Sequence, residues 1–121
     1  MRMLFLLLCA CVAGSGPAAA DALTNRQIET HLVGKQIAWW EAQGWRHGYL
    51  MLLPNGSAEM TVDRPDRQRD VGRWTLRGDE ICTLWGEVRG GVEKCYRIRR
   101  ESGGLFVTSG GNVFEVRELG V

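Results

Sequence analysis

The chain has few of the residues and none of the short motifs that mark common catalytic and metal-binding sites. Its only two histidines, His31 and His47, are distant from each other in the sequence. The motifs of serine hydrolases, phosphate-binding loops, zinc proteases and calcium loops are all missing. We therefore predict a protein that is not an enzyme and uses no metal or other cofactor. The alternative is an enzyme in which His47 acts together with a nearby carboxylate.

The sequence also lacks an excess of either charge. Fifteen Lys and Arg face fourteen Asp and Glu, which gives a formal net charge of +1. Lys35 and Lys94 are the only lysines, an imbalance that we attribute to a GC-rich genome. Arg64, Arg67 and Arg69 are interleaved with aspartates, a pattern typical of a solvated loop. This charge pattern argues against a dedicated nucleic-acid binder.

Only one long apolar run is present, and it lies at the N-terminus over residues 4–12. A helix needs about 20 apolar residues to cross a bilayer, so this shorter run does not predict a transmembrane anchor. A basic start precedes the run, and helix-breaking residues followed by Ala-x-Ala at 18–20 come after it. This order is typical of a secretory signal peptide.

We therefore predict a signal peptide over residues 1–20 and a single β-rich domain over residues 21–121. The expected location is the periplasm or the external medium. An alternative interpretation is a lipoprotein, because residues 8–11 resemble a lipoprotein box and would place a lipid anchor on Cys11.

Cysteine is scarce once the predicted signal peptide is removed, because only Cys82 and Cys95 remain. A structural zinc site needs about four ligands, and a thioredoxin-like site needs Cys-x-x-Cys at a helix start. Neither pattern is present. Two cysteines in an exported protein usually pair, because the compartment is oxidising. We predict a Cys82–Cys95 disulfide that contributes about 3 kcal/mol to stability.

The surrounding sequence predicts how the two cysteines meet. Strands over residues 80–88 and 92–99 form a hairpin with a two-residue loop, and this register places Cys82 opposite Cys95. It also places Ile81 opposite Tyr96 and Trp85 opposite Val92. The predicted core face of this hairpin is Ile81, Trp85, Val92, Tyr96 and Ile98.

A short helix opens the predicted domain. Thr24 and Gln27 form a capping-box pattern, and Leu23 and Ile28 occupy the positions of a hydrophobic staple. A glycine follows the last turn, so we predict a helix over residues 25–33.

The rest of the chain alternates between short strands and turns, with a charged loop over residues 64–70. The turns recur every eight to twelve residues, which predicts a mainly β protein. We expect an antiparallel meander of about eight strands that forms a small barrel or a strongly curled sheet. The helix is expected to cover one open end or one edge. The predicted strands are residues 36–42, 45–53, 57–63, 71–77, 80–88, 92–99, 105–109 and 112–119.

Five tryptophans are present. Trp74 and Trp85 alternate with apolar neighbours, so we predict that both lie in the core. Trp39 and Trp40 are adjacent and must point to opposite faces of a strand, which brings one of them to the outer face or the barrel mouth. An exposed aromatic patch commonly marks a binding surface. The predicted ligand-binding or partner-binding residues are Trp39, Trp40, Trp45 and Tyr49.

The segment "GRWTLRGDEICTLWGEV…EKCYRI" resembles a pattern in small exported proteobacterial proteins of unknown function. These proteins combine a signal peptide, a short helix ending in glycine, a Gly-x-Trp step and two cysteines on neighbouring strands. The resemblance implies a lipocalin-like β-meander in the bacterial envelope and implies no catalytic residues. The matching residues here are Gly34, Gly72, Trp74, Cys82, Trp85 and Cys95.

Two functions are expected from these features. The first is a non-enzymatic binding or interaction module for an unknown small molecule or envelope protein, which it contacts through the aromatic end. The alternative is an inhibitor of a secreted or envelope hydrolase, such as a lysozyme or a protease. In that case the loop over residues 63–70 would enter the cleft of the target.

Overall fold

The computed structural model describes residues 22–63 and 67–117. The predicted signal peptide and the alternative anchor site Cys11 lie outside the described residues. Within the described residues, no helix is both long and apolar enough to cross a membrane. The described part of the chain contains one α-helix and nine strands, besides two short 3₁₀ turns: α1 (Asn25–Leu32), β1 (Gln36–Glu41), β2 (His47–Leu52), β3 (Ser57–Val62), β4 (Gln68–Arg77), β5 (Glu80–Trp85), β6 (Lys94–Tyr96), β7 (Ile98–Arg100), β8 (Leu105–Thr108) and β9 (Asn112–Arg117).

All nine strands belong to one antiparallel sheet, which confirms the predicted mainly β meander. The strand order is β6-β5-β4-β3-β2-β1-β9-β8-β7. Strands that follow each other in the sequence are mostly neighbours in the sheet. The exception is the pair of β6 and β7, which form the two edges of the sheet. In addition, the first and last strands, β1 and β9, pair with each other. The sheet is therefore curled into a nearly closed barrel.

The two edge strands of this sheet are consecutive in the chain, because only Arg97 separates β6 from β7. The Arg97 N–H donates to Ser109 Oγ over 3.0 Å. The Ser109 N–H in turn donates to the Arg97 carbonyl oxygen over 2.9 Å. These hydrogen bonds extend the pairing of β7 with β8 by one residue, and Arg97 connects the two edge strands through the backbone.

α1 closes one end of the barrel. The Thr24 hydroxyl accepts a hydrogen bond from the Gln27 N–H, and the Gln27 side chain accepts one from the Thr24 N–H, which confirms the predicted capping box. Ile28 and Leu32 are fully buried on one helical face. Since a helix of eight residues is marginal alone, this packing against the sheet stabilises it.

The core fills this closed end and continues along the inner face of the sheet. Inner-face residues alternate with outer-face residues along each strand, as strand geometry requires. Trp74 and Trp85 are buried in this core, as predicted. The buried cluster comprises Leu23, Ile28, Leu32, Ile37, Trp39, Leu50, Leu52, Ala58, Trp74, Ile81, Trp85, Ile98 and Phe106.

The structure corrects the predicted start of β4. The charged loop was expected to reach residue 70, but β4 already begins at Gln68 and pairs with β3 from there. Asp70 lies opposite Met60 and is buried, although its charge and neighbours favour a loop. Its carboxylate accepts several backbone hydrogen bonds, which compensate for its burial.

The predicted two-residue hairpin between β5 and β6 is also wrong. The pairs Ile81–Tyr96 and Cys82–Cys95 form as predicted, but pairing ends at Thr83–Lys94. Residues 86–93 instead form a wide loop that contains a 3₁₀ turn, Val88–Gly91. Val92 therefore does not face Trp85 and is 55% exposed rather than part of the core.

Candidate ligand-binding cavity

The end of the barrel opposite α1 is open and leads into a cavity of about 580 Å³. Three loops surround its entrance: β1–β2, β5–β6 and β8–β9. We call this end the mouth. The cavity exists because α1 fills the opposite end, whereas no helix or bulky loop among the described residues fills this one.

The inner wall of the cavity is largely apolar. It is formed by inward-facing side chains of six strands, and the described uncharged polar lining side chains are Gln43, Thr83 and Asn112, besides the Tyr96 hydroxyl. Because apolar walls gain free energy when they exclude water, such a surface favours an apolar occupant. The apolar and aromatic lining residues are Trp39, Leu50, Leu52, Met60, Val62, Ile81, Trp85, Val88, Tyr96 and Phe114.

Trp39 is held in this wall by a hydrogen bond across the sheet. Its indole N–H donates to the Thr61 carbonyl oxygen over 3.0 Å. Gly48 lies opposite Trp39 on β2, and a Cβ there would collide with the same carbonyl. The missing side chain of Gly48 therefore leaves room for the Thr61 carbonyl oxygen that accepts the hydrogen bond from the indole.

Among the described residues, three charged side chains line the mouth: Glu41, Arg46 and Arg89. Arg46 Nε lies 3.8 Å from Glu41 Oε1, and the Arg46 backbone N–H donates to the same oxygen. Arg89 forms no ion pair among the described residues. The described side chains at the mouth therefore carry one positive charge in excess, and Arg89 is the arginine without an ion pair among them.

Arg89 is placed over the ring of Tyr96. Its Cζ atom lies 4.8 Å from the ring centroid, within the range of a cation–π contact. Burial against the mouth lowers the pKa of the guanidinium, and the charge of Glu41 raises it. The Tyr96 ring packs against Gly110, where a Cβ would collide with it. The Tyr96 hydroxyl is buried and has no hydrogen-bond partner within residues 22–63 and 67–117.

Asp70 anchors the β5–β6 loop that carries Arg89. Its Oδ2 accepts hydrogen bonds from the N–H groups of Glu87 and Val88 over 2.9 and 2.7 Å. Its Oδ1 accepts one from the Val71 N–H over 2.9 Å. Burial alone would raise the pKa of Asp70, but these backbone hydrogen bonds hold the pKa below its ordinary value. Asp70 is therefore an ionised anchor for the loop.

The structure separates the four aromatic residues predicted to bind together. Trp39 is buried and lines the cavity, whereas Trp40 is half-buried on the outer face of the same strand. Trp45 lies in the β1–β2 loop and is 64% exposed, and Tyr49 is 43% exposed on β2. Of the four, only Trp39 contributes to the cavity wall.

The two histidines lie at opposite ends of the barrel. His47 is half-exposed on β2, with its Nδ1 atom 3.7 Å from Asp63 Oδ2. His31 lies on α1, and its Nε2 accepts a hydrogen bond from Arg100 over 2.8 Å. Neither histidine lines the cavity.

The predicted disulfide is present between Cys82 and Cys95, whose Cα atoms are 4.0 Å apart. It joins β5 and β6 on the outer face of the sheet. On the same face, Arg77 forms a bidentate ion pair with Glu93. The disulfide therefore staples the two strands that support the loop with Arg89, and it takes no part in the cavity wall.

Sequence reasoning missed three residues of this site: Asp70, Arg89 and Tyr96. Arg89 was assigned to a turn and Asp70 to a loop, while Tyr96 was placed in the core without a role. The one local signal was the pair of glycines after Arg89, which indicates an unusual turn. The contact between Asp70 and this turn joins distant residues and has no sequence signature.

Comparisons with protein-family models, curated proteins and solved structures found no match to this chain. The function proposed below consequently rests on the geometry and chemistry of the cavity.

Proposed function

We propose that the barrel binds a small, largely apolar molecule in the mouth cavity and does not act on it chemically. The observation that carries this proposal is the cavity of about 580 Å³, with its apolar and aromatic wall and one open end. Small-molecule sites typically have volumes of about 300–1,000 Å³ and are lined by such residues with a few polar groups. Both the size and the lining are therefore suited to binding.

The chemistry of the wall favours binding over catalysis. Among the described lining residues, no His, Cys, Ser or Lys is present. Thr83 and Tyr96 supply the hydroxyl groups, and neither has a general base beside it in the wall. A nucleophile without such a base is poorly activated. We therefore retain the proposal of a non-enzymatic binding module.

We place this binding in the periplasm or the external medium. The disulfide is compatible with an oxidising compartment, in which such bonds form and persist. The resemblance to small exported proteins, with its lipocalin-like fold, supports the same location. Reversible binding of a ligand inside a barrel needs no energy source, so it is a function that such a compartment permits.

The test uses a fluorescent apolar probe, N-phenyl-1-naphthylamine, whose emission rises in apolar surroundings. Val62 lines the cavity, so Val62→Trp inserts a large side chain into it. Val71 is 57% exposed on the outer face, so Val71→Trp is the matched control. We expect the wild type and Val71→Trp to bind the probe, and Val62→Trp to bind it at least tenfold more weakly. Equal binding by all three proteins would refute the cavity as the site.

The second candidate function is inhibition of a secreted or envelope hydrolase. The exposure of Trp45 at the mouth supports it, because an aromatic side chain outside the cavity is available to a protein partner. A panel of lysozymes and proteases, assayed with excess protein, tests this candidate. Inhibition that Trp45→Ala abolishes and Val62→Trp leaves unchanged would favour the inhibitor over the cavity-binding function.

A further inference from the structure

The described residues of the mouth carry one positive charge in excess, beside an apolar cavity. Glu41 is engaged by Arg46, so its charge is largely compensated. Arg89 has no carboxylate within ion-pair distance among the described residues, although Glu41 is close enough to act on it electrostatically. A bound molecule with one negative charge at its outer end would form an ion pair with Arg89 and neutralise this charge.

The backbone at Arg89 has a conformation that residues other than glycine rarely adopt. Arg89 has φ 58° and ψ 31°, in the left-handed region that glycine occupies most easily. Gly90 and Gly91 follow with φ 63° and 67°. An arginine at the first of three left-handed positions costs free energy, and such strain commonly marks a functional residue.

Two contacts restrict the position of the guanidinium, although Arg89 is exposed. Asp70 holds the N–H of Val88, the residue before Arg89, and the ring of Tyr96 lies beneath the guanidinium. An arginine that is already ordered loses less conformational entropy when it binds a ligand. Its planar fork of N–H donors matches the two oxygens of a carboxylate.

We propose that the ligand is an amphiphilic monocarboxylate of the fatty-acid type. Its alkyl chain occupies the cavity and its carboxylate accepts hydrogen bonds from Arg89 at the mouth. This inference rests on the proposed function, because it assigns a chemical class to the molecule that the cavity binds. It adds a selectivity for a negative head group, which apolar binding alone does not require.

The test compares three probes with the same alkyl chain and different head groups: decanoate, decanol and decylammonium. Binding is measured at pH 7.5 by displacement of N-phenyl-1-naphthylamine and by isothermal titration calorimetry. We expect decanoate to bind about tenfold more tightly than decanol, and decylammonium to bind more weakly than decanol. Arg89→Gln should weaken decanoate binding about tenfold and change decanol binding less than twofold.

Two further variants assign the charge effect to Arg89. Arg73 is exposed on the outer face of β4 and does not line the cavity, so Arg73→Gln should leave decanoate binding unchanged. Arg46→Gln removes the other arginine of the mouth. If Arg46→Gln abolishes the preference for decanoate and Arg89→Gln does not, the assignment to Arg89 is wrong.

The outcomes separate this inference from the proposed function. Binding of decanol and decanoate with equal affinity, both lost in Val62→Trp, would retain the cavity function and overturn the carboxylate selectivity. Failure of all three probes and of N-phenyl-1-naphthylamine to bind would overturn the cavity function itself. A preference for decanoate that Arg89→Gln removes would support both.

Discussion

The two ends of this barrel are built from the same strands but are finished differently. At the closed end, Ile28 and Leu32 of α1 pack against the inner face of the sheet, and both are fully buried. At the mouth, the loops surround the entrance of the cavity. Hydrogen bonds to Asp70, rather than apolar packing, hold the β5–β6 loop in place. The difference indicates that the closed end supplies most of the stability and that the mouth is free to serve binding.

Backbone contacts reinforce this contrast. The helix is fixed at both of its ends, because the Asn25 N–H donates to Asp79 Oδ1 and the Gly34 N–H donates to the Leu52 carbonyl oxygen. The loop with Arg89 depends chiefly on one carboxylate, that of Asp70. Loss of one contact should therefore loosen the mouth more than the closed end.

The largest expected effect is a loss of stability, and it should differ between a leucine at the closed end and a leucine at the mouth. Leu32 is fully buried at the closed end, and Leu50 lines the cavity. We expect Leu32→Ala to lower the free energy of unfolding by about 4 kcal/mol, because it leaves a new void in a filled core. Leu50→Ala enlarges an existing cavity and should cost about 2 kcal/mol. Urea denaturation measures both, and an equal or larger loss for Leu50→Ala would break the comparison between the two ends.

The second effect concerns the disulfide that supports the mouth loop. Replacement of both Cys82 and Cys95 by alanine should lower the free energy of unfolding by about 3 kcal/mol, because the unfolded chain loses a cross-link over a separation of 13 residues. Thermal or urea unfolding measures this loss. Reductant should destabilise the wild type by a similar amount and should leave the double variant unchanged. A double variant as stable as the wild type would show that the staple does not support the fold.

The third effect concerns Asp70 and depends on pH. Its pKa is lower in the folded chain than the ordinary value of about 3.9, so ionised Asp70 stabilises the fold fully above that value. This contribution is lost as the pH falls through the lowered pKa of the folded state. Asp70→Asn should cost about 1–2 kcal/mol at neutral pH, since charge-assisted hydrogen bonds are weakened.

Two measurements check the role of Asp70. Urea denaturation between pH 7 and pH 2 should show a smaller acid destabilisation in Asp70→Asn than in the wild type. Hydrogen exchange at neutral pH should show faster exchange of the Glu87 and Val88 amides, with the amides of α1 unchanged. Uniform acceleration in both regions would contradict a local anchor at the mouth.

The smallest effect is expected on the outer surface. Trp45 and Tyr49 are exposed and do not line the cavity. Trp45→Ala and Tyr49→Ala should each change the free energy of unfolding by less than about 0.5 kcal/mol. Decanoate affinity, measured by calorimetry, should change less than twofold. A loss of decanoate binding in either variant would instead assign ligand capture to the outer aromatic residues.

Local patterns predicted the parts of the fold that depend on neighbouring residues. The predicted register of β5 and β6 placed Cys82 opposite Cys95 correctly, although the two-residue loop assumed for it was wrong. Alternation placed both cysteines on the same face. The capping box of Thr24 and Gln27 predicted where α1 begins. In both cases the residues that determine the local structure lie close together in the sequence.

The mouth could not be predicted in the same way, because its geometry depends on residues that are distant in the sequence. Asp70 is one of several charges in "RPDRQRD", and only its contact with the backbone of residues 87 and 88 explains why it is buried. The loop that Asp70 holds is wider than a two-residue turn, and Trp85 does not pair with Val92. The roles of Arg89 and Tyr96 depend on the turn that results.

The most direct test of the account is the NMR spectrum of the five tryptophan indole N–H groups during titration with decanoate. Trp39 and Trp85 line the cavity, Trp74 lies outside its lining, and Trp40 and Trp45 are on the outer side of the barrel or in its loops. We predict large shifts for Trp39 and Trp85 and small shifts for the other three. Shifts confined to Trp40 and Trp45 would contradict binding inside the barrel.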